Sequence, residues 1–120
     1  MKQLHPYLTF DGQCRLAMEA YQQWFGGELT LMPAPEPDRV FHAVLRGPEF
    51  TLMGSDMPQP GPAGANSVVI ECDSRPECER LYELARAGGE VFCALGEPPW
   101  GGLYAHVLDA YGVVWHLSAE

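Results

Sequence analysis

The spacing of apolar positions alternates along this chain between a period of two and a period of three to four residues. Leu4 to Phe10 is apolar and β-prone, with Pro6 early in the run, and reads as a strand that starts near a sheet edge. After Asp11-Gly12, the residues Cys14, Ala17, Met18, Tyr21, Trp24 and Phe25 recur at helical steps. They predict a helix over Gln13 to Phe25 with one buried stripe. Gly26-Gly27 stops it, because glycine takes the left-handed cap at little cost. Glu28 to Met32, Val40 to Arg46 and Phe50 to Gly54 read as strands, separated by the proline-stiffened turn Pro33 to Asp38 and by Gly47-Pro48-Glu49. The first half is therefore β-α-β-β-β.

Residues 58–65 lie in a Pro- and Gly-rich stretch without periodicity, the composition of a linker. Beyond it, Ser67 to Cys72 reads as a strand. Ser74-Arg75-Pro76-Glu77 is a Ser-x-x-Glu capping box with Pro in the first turn, followed by the helical stripe Cys78, Leu81, Tyr82 and Ala85. Gly88-Gly89 ends that helix, and Glu90 to Leu95, Leu103 to Leu108 and Val113 to Ser118 read as strands. A shift of 62 lays Gly26-Gly27-Glu28-Leu29 on Gly88-Gly89-Glu90-Val91, and one residue of slippage lays Tyr21 on Tyr82. The order is again β-α-β-β-β, so the chain reads as a duplicated unit: module one 1–57, linker 58–65, module two 66–120. Half a chain of 120 residues cannot bury a sheet alone, so one domain is expected in which two sheets, of one chain or of two, share a concave surface.

Composition narrows the function classes. The net charge is −9 with 7 Lys plus Arg, which would repel a phosphate backbone or an anionic membrane, so neither nucleic acid nor membrane is expected as a partner. No apolar run approaches the roughly 18 residues of a membrane span, and the start lacks a secretory pattern, so a cytoplasmic location is expected. Cys14, Cys72, Cys78 and Cys93 form no C-x-x-C pair and read as reduced thiols in the core. No Ser-His-Asp or Cys-His arrangement has supporting context, and no glycine-rich phosphate loop opens a helix.

His5 to Cys14, Ala17 to Tyr21, Phe25 to Leu29, Phe41 to Leu45, Leu52 to Asp56, Trp100-Gly101 and Val107 to Trp115 together resemble, in order and over nearly the whole chain, the PhnB-like branch of the glyoxalase/bleomycin-resistance (vicinal oxygen chelate) superfamily. The loop from Met32 to Arg39 is short for that family. The resemblance implies an α+β fold of two βαβββ modules forming an open, funnel-shaped mixed sheet, usually in a homodimer, with a small molecule in the funnel. It leaves open whether the protein is an enzyme, since the superfamily holds isomerases, dioxygenases, antibiotic-modifying enzymes and metal-free drug binders.

Metal-dependent relatives take ligands from the first and last strands of each module, which the repeat maps to His5 and Met53, and to Ser67 and His116. A thioether and a hydroxyl are poor replacements for carboxylate or imidazole donors. The expected function is therefore a small-molecule binding protein with no obligatory cofactor. The alternative is a metal-dependent lyase, isomerase or dioxygenase in which His5 and His116 hold Zn, Ni, Fe or Mn. Alternation places His42 with Val44 and Arg46, and His106 with Tyr104 and Leu108; at least one of these faces is expected to line the cavity. Trp100, in a Pro-Pro-Trp-Gly-Gly loop, suits a pocket wall or lid. Met53, Met57 and Trp115 would make the pocket apolar, and the candidate ligand-binding residues are His42, Met53, Trp100, Tyr104 and Trp115. Asp56, ending a strand, is read as a turn residue.

Overall fold

The computed structural model describes residues 1–58 and 66–120. Most of the linker expected at 58–65 therefore lies outside the described residues. The chain divides into two compact units, Met1–Ala63 and Gly64–Glu120. The first contains β1 (Tyr7–Thr9), α1 (Cys14–Phe25), β2 (Glu28–Pro33), β3 (Val40–Arg46) and β4 (Thr51–Ser55). The second contains β5 (Asn66–Glu71), α2 (Arg75–Arg86), β6 (Glu90–Gly96), β7 (Leu103–Leu108) and β8 (Val113–Ala119). Both are βαβββ, and the fold is α+β. Strand boundaries differ from the sequence reading by a few residues, most at β1, where the ladder omits Leu4 to Pro6.

Each unit forms one four-stranded mixed sheet, in the order β1-β4-β3-β2 and β5-β8-β7-β6. The outer first strand runs parallel to the last strand, and the other pairings are antiparallel. The helix lies on one face of its own sheet. In the first unit Cys14, Ala17, Met18 and Tyr21 are buried together with Leu8, Ala43, Leu45 and Leu52. In the second, Cys78, Leu81, Tyr82 and Ala85 are buried together with Ala105, Val107, Trp115 and Leu117. Full burial of a side chain the size of leucine is worth about 1.5–3 kcal/mol, so this stripe, more than helix propensity, holds a 12-residue helix in place.

The duplication is visible in the strand registers. Glu28 pairs with Arg46 and Glu90 with Leu108, both 62 apart in sequence from their counterparts. A Cβ on Gly27 would lie 2.6 Å from the Arg46 carbonyl oxygen, and one on Gly89 would fall closer still on the Leu108 carbonyl oxygen. The second glycine of each pair is thus required by close backbone approach, while Gly26 (φ 77°) and Gly88 (φ 73°) supply the left-handed turn after the helix.

Two buried carboxylates fix the backbone. Asp56 is 1% exposed, and its Oδ1 accepts from the Gly12 and Cys14 N–H groups (2.7 and 3.0 Å) while Oδ2 accepts from Val40 N–H (2.9 Å). It serves backbone geometry, as the turn reading expects, but across three segments. Asp109 accepts from the N–H groups of Tyr111 and Val113 and from Trp115 Nε1 (2.8, 2.9 and 2.8 Å), closing the β7–β8 turn. No helix among the described residues is long and apolar enough to cross a membrane.

Candidate functional site

Side chains that alternate with the buried stripes occupy the other face of each sheet. In the first unit this face carries Tyr7, Met53, Val44 and His42. Tyr7 and Val44 both pair in register with Met53, and the Tyr7 hydroxyl lies 3.3 Å from His42 Nδ1 with the two rings stacked at 5.8 Å. His5 is half-buried and precedes β1. His42 and Met53 are therefore brought to one surface, beside a tyrosine that the sequence does not single out.

In the second unit the corresponding face is richer in polar chemistry. His116, on β8, is flanked in register by Val69 of β5 and by His106 of β7. The His106 and His116 rings stack at 4.1 Å with 22° between their planes. Tyr104 places its hydroxyl 2.8 Å from His116 Nδ1, and Ser67 places its Oγ 3.2 Å from His116 Nε2. Both imidazole nitrogens are thereby engaged in a hydroxyl–imidazole–hydroxyl chain. Burial, and secondarily the neighbouring His106, push the His116 pKa below its ordinary value of 6.5, which favours the neutral ring.

The register explains why Ser67 and His106 join this group. Asp109 N–H donates to the Val113 carbonyl, so Asp109 to Val113 close a loop that aligns residue 106 with residue 116 across the hairpin. Gly112, at φ 91°, provides the left-handed residue such a loop requires. Trp115 lies elsewhere. It is 2% exposed on the helix-facing side of the sheet, its indole N–H donated to Asp109, so it is a core residue and not part of the face that carries His116. The expectation of Trp115 as a ligand contact is corrected accordingly, because adjacent residues of a strand point to opposite faces.

Trp100 is 76% exposed and meets Tyr104 edge-on at 6.0 Å. It also borders a hollow of about 600 Å³ at the end of the second sheet, lined in addition by Glu71, Asp73, Gly102, Ser118 and Glu120. Phe92, on β6, packs against His106 at 5.2 Å and was not singled out by the sequence; the cue is its place 62 residues after Thr30, on a strand repeated from the first unit.

Cys14 and Cys72 offer no nucleophile. Burial and then Asp56 push Cys14 up to about 12, and burial followed by Cys78 pushes Cys72 up to about 12. At neutral pH such groups are thiols, not thiolates. Cys72 and Cys78 hydrogen-bond to each other, and Cys93 is exposed, so the expectation of four separate core thiols holds for Cys14 and Cys78 alone as far as burial goes.

The metal positions implied by the resemblance can be tested on this donor set. The registers support the mapping itself: Tyr7 and Val69 face Met53 and His116 in the two sheets, so His5 corresponds to Ser67 two residues earlier on each first strand. Met53 brings a thioether and Ser67 a hydroxyl already directed at His116. Stacked face to face, His106 and His116 do not converge their in-plane lone pairs on one ion. Among the described residues no three His, Cys, Asp or Glu side chains are grouped to hold a metal. The residues present do not fit the family's divalent ion.

Comparison with known proteins agrees with the topology. The sequence matches the family model of the Glyoxalase/Bleomycin resistance protein/Dioxygenase superfamily over residues 3–117. It is 28% identical to protein YjdN of Escherichia coli over 137 aligned positions, covering 96% of this chain and 93% of that protein. Among solved structures, it is similar to protein PA1353 of Pseudomonas aeruginosa, with 36% identity and a TM-score of 0.85 over 100% of this chain and 98% of the other. It is also similar to the PhnB protein of Bacillus cereus, with 21% identity and a TM-score of 0.77 over 99% and 100%. The duplicated βαβββ unit and these matches lead to one assignment: the chain belongs to the glyoxalase/bleomycin resistance protein/dioxygenase superfamily, with PhnB-like proteins among its neighbours.

Proposed function

We propose that this protein is a binder of small organic molecules in which the open face of β5–β8 supplies the recognition groups and no metal is obligatory. The observation that carries the reading is His116. Where metal-dependent relatives of the resembled family place a ligand, this chain holds an imidazole whose two nitrogens are already committed to Tyr104 and Ser67. A neutral, hydrogen-bonded imidazole between two hydroxyls is suited to orienting a polar group of a ligand rather than to Lewis-acid chemistry. The reading extends to a homodimer, as the resemblance implies.

The test uses protein purified without a polyhistidine tag. After dialysis against a chelator, a thermal-shift screen of small organic molecules is expected to give ligands that raise the melting temperature by mass action, equally with and without added Zn, Ni, Fe or Mn. Stoichiometric metal retained by the protein, lost in His116→Ala and required for every thermal shift, overturns the reading in favour of a metal-dependent lyase, isomerase or dioxygenase using His5 and His116.

A further inference from the structure

Five rings touch in succession across the second sheet: Phe92 on His106 at 5.2 Å, His106 on His116 at 4.1 Å, His116 on Tyr104 at 6.2 Å, and Tyr104 on Trp100 at 6.0 Å. The two ends of this strip are the most exposed, Phe92 at 51% and Trp100 at 76%. The two histidine faces are turned on each other and the outer rings meet their neighbours edge-on, so a flat partner meets the strip along ring edges and at its exposed ends, Phe92 and Trp100.

The hydrogens of the polar chain can be counted. If the neutral His116 carries its proton on Nε2, it donates to Ser67 Oγ, Tyr104 O–H donates to Nδ1, and the Ser67 hydroxyl hydrogen is left over in this trio. If the proton sits on Nδ1, the roles reverse and the Tyr104 hydrogen is left over. Each tautomer leaves one hydroxyl hydrogen to be given to something else. A ligand that displaces water from this face without accepting that hydrogen leaves a donor unmade, which costs more than a made hydrogen bond returns.

Charge narrows the class further. Glu71, Asp73 and Glu120 border the hollow beside Trp100, Arg75, which donates to the Glu120 carbonyl, is already paired with Glu97, and the chain as a whole carries −9. An anionic oxygen would be repelled there. An ammonium group would be attracted by the carboxylates but has no lone pair to accept the hydroxyl hydrogen.

Resting on the small-molecule reading above, we infer that the ligand is an uncharged, flat, conjugated carbonyl compound, laid against the Phe92–His106–Tyr104–Trp100 strip with its carbonyl oxygen accepting from Ser67 or Tyr104. Four naphthalene probes of matched shape test this by quenching of tryptophan fluorescence at neutral pH: acetonaphthone, ethylnaphthalene, naphthoate and naphthylmethylamine. Acetonaphthone is expected to bind about tenfold more tightly than ethylnaphthalene, the value of one net hydrogen bond, and more tightly than either charged probe. In the triple variant Ser67→Ala/Tyr104→Phe/His116→Phe, which also removes the imidazole N–H that the two hydroxyls occupy, the preference for the ketone over the hydrocarbon is expected to disappear, while Phe92→Ala weakens both alike. Equal affinity for ketone and hydrocarbon in the parent, a preference that survives the triple variant, or tightest binding of naphthoate or naphthylmethylamine overturns the inference. So does failure of all four probes to bind. A non-planar or charged hit in the broader thermal-shift screen would then sink the ligand class while leaving the small-molecule reading standing.

Discussion

The two helices of the molecule occupy equivalent places in equivalent units, yet their amino termini are secured by different means. At α2 the solution is local: Ser74 Oγ accepts from Glu77 N–H at 3.2 Å, and the Glu77 carboxylate accepts from Asp73 N–H at 3.0 Å. At α1 the N-cap residue Gln13 makes no side-chain cap bond, and the amides of Gly12 and Cys14 are met by Asp56, more than 40 residues further along the chain. One requirement, that the first amides of a helix find acceptors, is thus met once by neighbours in sequence and once by a neighbour only in space. A cap that spans 3 residues stabilises its helix alone. A carboxylate that also accepts from Val40 ties the β1–α1 junction to the start of β3 and the end of β4.

The largest effect should come from breaking the remote cap. Asp56→Ala would strand three amide donors at once, two of them in buried bonds, and is expected to destabilise the protein by about 3–5 kcal/mol, measured by urea denaturation. An effect no larger than that of a surface mutation would show that water replaces the carboxylate. Ser74→Ala, its counterpart in the second unit, should cost about 1 kcal/mol, because water reaches this exposed helix end. If the two substitutions cost the same, the contrast between remote and local capping fails.

The smallest effect separates the open faces. His116, whose pKa is pushed below 6.5, binds its proton less readily folded than unfolded. Acidification through the ordinary imidazole range therefore protonates the unfolded chain first, and stability falls as pH drops from about 6.5 toward the lowered folded value; above that window both states are neutral and the group contributes no pH dependence. Comparing the pH dependence of denaturation midpoints between about pH 7 and pH 5 in the parent and in His116→Gln should show a shallower fall in the variant. Identical curves would mean that His116 titrates as it does in the unfolded chain.

The same contrast between near and far explains what the sequence discloses. The element order, both glycine pairs and the capping box at Ser74 are local features, and they are legible because their partners lie within a few residues. The correspondence of His5 with Ser67 and of Met53 with His116 is legible too, since it follows from the repeat. The Ser67–His116–Tyr104 chain is not, because it depends on how β5, β7 and β8 align, and the β7–β8 alignment turns on a loop closed by Asp109 that sequence spacing alone does not set. Trp115 illustrates the cost of a one-residue step: adjacent to His116 in the chain, it belongs to the opposite side of the sheet.

Gly27 and Gly89 press against the carbonyl oxygens of residues that are themselves a repeat length apart. The spacing between helix and strand is consequently one specification written twice in the chain. Any exchange of helices between the halves, whether by recombination or by design, must carry a residue without a side chain across the seam, or the transplanted helix will sit a methyl group too high on its new sheet.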